Sequence, residues 1–410
     1  MTSTAVLIAK NWPEPASTAA GRRTLDLLRL LQAGGYHITV ASPAEPTPFQ
    51  QDLASEQMVT QRIAVNDSAF DHWLLDLKPD LVIYDRYVME EQFGWRVREH
   101  CPQAMTLLDT SDFHALREAR QTAIQKGTAF NLFGPTLMRE LAAMARCDLV
   151  LMISRVEIAL LRSQCQFPAQ ALLYLPFLVD KLPDLDALPT FSEREHLMMI
   201  GGFKHPPNRD AVLWFKQSIW PLIRRRLPEV ECHIYGAYAD HQVQQWHAPK
   251  DRFLIKGRCE DALTTLEKYR LNLAPLRFGA GQKGKVIDGW LTGTPTVTTP
   301  LGAEAMAPLD AWGYTLSDQP ERYADAVVAL YQSPEQWSDV QQCGVDALQR
   351  GFLHQDYSAG LLQALQHTRL NLETHRNGLV WGRILWQTQH RATEFMSRWI
   401  EAKNTPLDSQ

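Results

Sequence analysis

Two consecutive α/β domains, each with a mostly parallel sheet covered by helices on both faces, are the fold class this sequence predicts. Three observations carry the prediction. Short apolar runs alternate with helix-like segments almost from the start, as parallel strands joined by crossover helices do. A polar, proline-punctuated stretch, "DKLPDLDALPTFSERE", interrupts the alternation, which then restarts. The chain has 410 residues, more than one ordinary core holds. The expected division is 1–180 for the first domain, 181–195 for a linker, 196–365 for the second domain and 366–410 for terminal helices.

In the first domain, "TAVLIAK" reads as a strand. "RRTLDLLRLLQAGG" places Leu25, Leu28 and Leu31 at helical spacing and stops at Gly34–Gly35, a C-terminal cap signal. "YHITVAS" is the next strand. "FDHWLLDLKPDLVIYDR" is a helix broken by Pro79 and followed by a strand from Leu81 to Tyr84. "AMTLLDTSD", "RCDLVLMISRVEIALLRSQ" and "ALLYLPFLVD" supply a strand, a strand with its helix, and a closing strand. After the linker come strand "HLMMIGG", helix "DAVLWFKQSIWPLIRRR", strands "VECHIYG" and "RFLIKG", helix "EDALTTLEKYR" and strand "LNLAPL". A glycine-rich loop, a short helix from about Lys285 and strand "TPTVTT" follow.

Composition narrows the function. Hydrophobic residues are 45% and charged residues 21%, a globular balance. The net charge of −5 gives no electrostatic case for nucleic acid as a partner. Six cysteines lie far apart with no C-x-x-C pair, which argues against structural zinc and for reduced thiols in the cytosol. The first apolar run, Ala5 to Ala9, is too short for a signal core and has no basic residue ahead of it. No run of ~18 apolar residues is present to span a bilayer.

The stretch "RFGAGQKGKVIDGWLTGTPTVTTPLGAEAM", 277–306, concentrates Gly279, Gly281, Gly284, Lys283 and Lys285. It fits G-x-G-x-x-G, with Glu304 twenty residues beyond Gly284, and also the opening of G-x-x-x-x-G-K and the kinase G-x-G-x-x-G-x-V. All three share one idea: glycines let backbone N–H groups approach phosphate oxygens, and lysine offsets their charge. A P-loop would carry Ser or Thr where Val286 stands. A kinase loop would need V-A-I-K, H-R-D and D-F-G, and a dinucleotide fingerprint would follow the first strand of its unit. Ligands of parallel sheets bind at the strands' carboxyl ends. Lys10, Asn11, Asp85, Arg86, Asp109 to His114, Ser154 and Gly201 to Asn208 all fall there.

The ordered series Gly201–Gly202, Pro207–Asn208, Gly236, Gly257, Pro275, the Gly/Lys loop, Gly293-x-Pro295 and Gly302-x-Glu304 resembles the C-terminal half of a family-four (group 1) glycosyltransferase of the GT-B fold. The match runs over about 110 residues. "TLLDTSDFHALREAR" and "CDLVLMISRVEIALL" resemble the same family's N-terminal half more weakly. The resemblance implies two Rossmann-like domains facing a cleft, with the last helix crossing back to the first domain. It implies a nucleotide-diphosphate sugar as donor substrate, no other cofactor, no metal, and a glycan, lipid-linked glycan or small hydroxyl compound as acceptor. The implied donor-side residues are Gly21, Gly202, Lys204, Arg277, Gly279, Gly281, Lys283, Lys285 and Asp288, with Lys285 the first choice for phosphate. Asp112 and His114 are the candidates to deprotonate an acceptor hydroxyl, and Glu304 is expected near the donor sugar. Arg22 and Arg23 add charge or stand exposed.

Many relatives carry two glutamates eight positions apart near this loop. Here those positions are Ala280 and Asp288. Ala280 has no group to contact a sugar, which keeps open a non-catalytic nucleotide-sugar-binding partner subunit; among enzymes the alternative is a sugar-nucleotide epimerase of the same fold. In the tail, Trp381, Leu385, Thr388, Ala392, Met396 and Trp399 share one helical face. Docking of that face on the first domain is one reading. The other is peripheral contact with the inner face of a membrane, with Arg383, Arg391 and Arg398 at the headgroups.

Overall fold

The computed structural model describes residues 3–404, except for the side chains of 388–390. The first sheet consists of β1 (Ser3–Ile8), β2 (Tyr36–Ser42), β3 (Val59–Arg62), β4 (Leu81–Asp85), β5 (Met105–Asp109), β6 (Leu149–Met152) and β7 (Leu172–Tyr174). Its order is β3-β2-β1-β4-β5-β6-β7, and every pairing is parallel. The helices between are α1 (Ala19–Ala33), α2 (Ala69–Leu77), α3 (Tyr87–His100), α4 (His114–Lys126), α5 (Pro135–Arg146) and α6 (Arg155–Gln164). β1 shows why both faces are covered. Val6 and Ile8 enter one buried cluster while Ala5 and Leu7 enter the other, as the two-residue period of a strand requires. Each such large aliphatic contributes roughly 1.5–3 kcal/mol on burial. β3 shows no apolar alternation and lies at the sheet edge, largely exposed, so pattern reading passes over it.

The second sheet has β8 (Glu195–Ile200), β9 (Cys232–Tyr235), β10 (Phe253–Gly257), β11 (Tyr269–Ala274) and β12 (Thr296–Thr298), in the order β10-β9-β8-β11-β12, again all parallel. The helix predicted over "DAVLWFKQSIWPLIRRR" is broken into α7 (Pro206–Trp214), a π segment (Phe215–Ile219) and α8 (Trp220–Arg224). Pro221 explains the break, because it lacks the N–H that would bond one turn back and its ring crowds that carbonyl. α9 (His241–Gln244) and α10 (Ala262–Leu266) are short. α10 starts at its Asp261 cap, where Oδ1 accepts from Thr264 N at 2.6 Å. α11 (Gly284–Leu291) leaves the glycine loop, followed by α12 (Pro300–Ala303), α13 (Pro320–Gln332) and α14 (Pro334–Gly351).

The segment between the domains is pinned. Arg194 is buried, and donates to Pro189 O, Thr294 Oγ1 and Thr292 O at 2.8, 2.6 and 2.8 Å. After α14 the chain returns to the first domain. Val179 N donates to Phe352 O and His354 N to Val179 O, at 2.8 and 2.9 Å. Leu361 and Leu365 of α15 (His354–Leu370) then join a first-domain core cluster. α16 (Leu372–Gly378) carries Arg376, which clasps Asp148 at 2.7 and 2.9 Å.

α17 (Val380–Asn404) docks on α3 and α5, but not through the face its apolar spacing marked. Trp381, Met396 and Trp399 are 72%, 58% and 59% exposed, and Thr388 lies outside the described side chains. The docked face is instead Gly382, Trp386 and Ser397. A β-carbon on Gly382 would sit 2.0 Å from Ala145 O, so glycine lets the backbones touch. Trp386 Nε1 donates to Arg146 O at 3.0 Å, and Arg96 donates to Ser397 Oγ at 3.2 Å. Backbone proximity and polar partners decided the face, and apolar periodicity registers neither.

Candidate active site

In the second sheet the neighbours of β8 are β9 on one side and β11 on the other, so strand order reverses at β8. A crevice opens at such a point outside the carboxyl ends of the strands. Here it is lined by Ile200 and Gly201, Tyr235, Pro275, Asn208 and Lys285. A β-carbon on Gly201 would fall 2.6 Å from the Asn208 amide, so the glycine makes room for that side chain. Asn208 Nδ2 donates to Gly202 O at 2.9 Å, and its Oδ1 accepts from Lys285 Nζ at 2.7 Å. Burial lowers the Lys285 pKa to about 8, against the opposing pull of Asp288. A phosphate bound beside it would favour the charged form and raise that pKa again. It also stands in the first turn of α11, whose start carries no side-chain cap. The helix dipole and free N–H groups there favour an anion.

The glycine loop before α11 is gripped by the first domain. Gly281 has φ +65, a backbone conformation that favours glycine, and a β-carbon on it would lie 3.1 Å from Ile153 and 3.2 Å from Asp112. Its N–H donates to Glu157 Oε1 at 2.5 Å. Burial, with Asp112 adding a like charge, raises the Glu157 carboxyl to about 7. Gly279 O accepts from Arg120 at 2.9 Å, and Arg120 also holds both oxygens of Glu304 at 2.8 Å. Gln282 Oε1 accepts from Phe177 N at 2.9 Å. Asp288 is ion-paired with Arg22, one residue from Gly21, whose β-carbon would strike the Glu14 backbone at 2.6 Å. Ala280 packs against the first-domain core.

The other donor-side candidates are distributed. Lys283 is buried and donates to Gly281 O at 2.8 Å and Glu304 O at 3.2 Å, bracing the loop from within. Burial lowers its pKa to about 8. Arg277 pairs with Asp210. Lys204 lies over the Tyr238 ring, 3.6 Å from its centre, while the Tyr238 hydroxyl donates to Glu14 across the cleft at 2.8 and 2.9 Å. Gly202 comes within 3.9 Å of Ser17 O, measured from a notional β-carbon.

Facing this loop are the residues after β5. Asp112 accepts from Arg117 Nε at 2.7 Å and lies 3.4 Å from His114 Nδ1. Burial works to raise its pKa, but His114 and Arg117 outweigh burial and hold the carboxyl well below its ordinary range. His114 Nδ1 is also 3.1 Å from Asp112 O and 3.4 Å from Glu140 Oε1. Burial alone would lower the His114 pKa, yet Asp112 and Glu140 raise it above its ordinary 6.5. Asp109, by contrast, is taken up with Arg23 in a buried pair. Arg23 is therefore neither an exposed charge nor a cleft residue. Arg120 is a contact that sequence reading did not single out, and Glu157 reads from the sequence only as the acid of the family-like Ser-x-x-Glu helix start. Ser154-x-x-Glu157 reads as a helix-capping pattern, and Glu157 N does donate to Ser154 Oγ, at 3.2 Å. Nothing local says that its carboxylate reaches a loop 124 residues on.

Residues 194–333 match the family model described as Glycosyl transferases group 1. No curated protein is significantly similar in sequence. Among solved structures, the chain is similar to sucrose-phosphate synthase from Thermosynechococcus elongatus at 16% identity and TM-score 0.67, over 89% of this chain and 98% of that one. It is similar to Anabaena HepE, solved in complex with UDP and glucose, at 12% identity and TM-score 0.65, over 88% and 99%. A glycosyltransferase from Rickettsia africae matches at 11% identity and TM-score 0.61, over 92% and 98%. These likenesses establish the GT-B fold for the chain, and the second domain carries the group 1 glycosyl transferase signature.

Proposed function

We propose that this GT-B chain is a glycosyltransferase that moves a hexosyl group from a nucleoside diphosphate to an acceptor hydroxyl. The observation that carries the proposal is Lys285, half-buried at the start of α11 in the crevice beside β8, with Asn208 holding its ammonium. The sugar–phosphate C–O bond breaks and the acceptor oxygen bonds to the sugar carbon. The electron pair leaves on the diphosphate, where Lys285 and the α11 N–H groups stabilise the growing charge. Protein cations thus do the work a metal does elsewhere. A panel of nucleoside diphosphates and their sugars tests this by thermal shift and turnover. One nucleotide should raise the melting temperature, by an amount corresponding to about 2.7 kcal/mol at 100 times its dissociation constant. Lys285→Ala should abolish that shift. A shift with NAD or ATP alone would defeat the reading, and turnover of the chain by itself would dispose of the partner-subunit alternative.

His114 takes the acceptor proton in this scheme. Asp112 and Glu140 hold Nδ1, which leaves Nε2 to accept it, and Asp112, committed to Arg117, positions the ring. The base must be neutral to work, so activity falls as pH drops through the raised His114 pKa. The acid limb of kcat/KM should lie above pH 6.5. His114→Gln should remove that limb together with most of the rate. A limb that survives unchanged in the variant would show that the proton goes elsewhere.

No described helix is long and apolar enough to cross a membrane. We read the protein as cytoplasmic, with the exposed Trp381, Met396 and Trp399 beside Arg383 and Arg391 supporting contact with a membrane surface that presents a lipid-linked acceptor.

A further inference from the structure

The first sheet has its own reversal point. β1 is flanked by β2 on one side and β4 on the other, so the crevice of this domain opens between the ends of β1 and β4. Lys10 follows β1, and Asp85 and Arg86 end and follow β4. Lys10 N donates to Asp85 Oδ2 at 3.1 Å. Asp85 is buried, its Oδ1 receives no hydrogen bond, and the closest cation to that oxygen is Arg86 Nε at 3.4 Å. Among the described residues, neither the Lys10 ammonium nor the Arg86 guanidinium donates a hydrogen bond. Burial, and next the Arg86 charge, lower the Lys10 pKa, while Asp85 opposes them. Exposed Lys10 and half-buried Arg86 thus follow neighbouring strands on either side of one buried carboxylate. Asp112 and Arg117 beside them form a neutral pair, and His205 of the second domain faces the group across the cleft.

The backbone at Arg86 is the second observation. Its φ is 71° and ψ 159°, a region populated essentially by glycine and costly for any other residue. Strain of this kind persists where the side chain is needed. The same residue opens α3, a 14-residue helix with no side-chain cap at its start. Free N–H groups and the positive dipole end therefore add to the two cations.

We propose that Lys10 and Arg86 bind the phosphate of an acceptor that also carries hydroxyls, one of which donates to Asp85 Oδ1. The acceptor is then a polyol phosphate: a soluble sugar phosphate, or the phosphate that joins a glycan to a lipid. The role as acceptor site rests on the transferase reading above, while the anion site itself does not.

The test uses the Lys285→Ala background, which removes the donor-side cation. Inorganic phosphate and hexose 6-phosphate should still raise the melting temperature there. Adding Arg86→Gly or Lys10→Ala should weaken phosphate about tenfold, the loss of one charge-assisted contact. Arg86→Gly alone should keep the nucleotide-dependent shift. Co-sedimentation with phosphatidic-acid vesicles separates the sources. Vesicle binding lost in Arg86→Gly identifies the lipid-borne phosphate, and hexose 6-phosphate binding without vesicle binding identifies the soluble one. Phosphate affinity unchanged by both substitutions, or no phosphate effect in the parent, overturns the site. If phosphate behaves as expected but no nucleotide binds the wild type, the anion site stands and its role in glycosyl transfer falls.

Discussion

Lys285→Met should lower kcat by roughly 10²–10³-fold while leaving the fold intact. Methionine keeps most of the volume and removes only the charge. The charge matters because the leaving diphosphate gains negative charge as the sugar bond breaks, inside a crevice where water screens little. The same burial that gives the ammonium its force makes it unfavourable in the empty protein, since the Lys285 pKa is lowered to about 8. The variant should therefore unfold at the same temperature or slightly higher. A kcat within threefold of wild type would remove Lys285 from the chemistry. A large loss of stability would mean that the lysine holds the crevice together through Asn208 and does nothing more.

Arg23→Ala should destabilise the protein by about 3–5 kcal/mol, the cost of leaving a buried charge unpaired. Arg23 and Asp109 have side chains 2% and 4% exposed. Arg23 also donates to Leu175 O at 2.8 Å and Pro176 O at 3.3 Å, so its loss strands two carbonyls as well as a carboxylate. The double variant Arg23→Met, Asp109→Leu should recover most of the loss, because no charge is then left without a partner. Arg350→Ala, whose Asp346 pair is 63% and 46% exposed, should cost under about 1 kcal/mol. Thermal or urea unfolding distinguishes the three. An Arg23→Ala variant as stable as the Arg350→Ala variant would show that Asp109 is rescued by water or a rearranged neighbour.

Local patterning made much of the fold legible. The leucine spacing of α1 and its Gly34–Gly35 stop read directly, and the helix does end there, with Gly35 at φ +88. The strands of both sheets follow apolar runs, because a strand buried on both faces must be apolar throughout. What escaped was of another kind. β3 lies exposed at an edge and has no reason to be apolar. The π segment before Pro221 answers to one missing N–H. The docking face of α17 answers to Gly382, a residue chosen for what it lacks.

The sequence by itself determined that there are two α/β domains and that a cradle of glycines and lysines precedes α11. These follow from spacing within a few tens of residues, where strand and helix periods and backbone freedom act. Only the tertiary structure decided which charges are free. Arg22, Arg120 and Glu157 reach across the cleft to Asp288, Glu304 and Gly281, and Arg23 disappears into the core, while among the described residues the Lys10 ammonium donates no hydrogen bond and the Arg86 guanidinium has only Asp85, at 3.4 Å. A charge acts through whatever lies within several ångströms of it, and those neighbours come from distant parts of the chain.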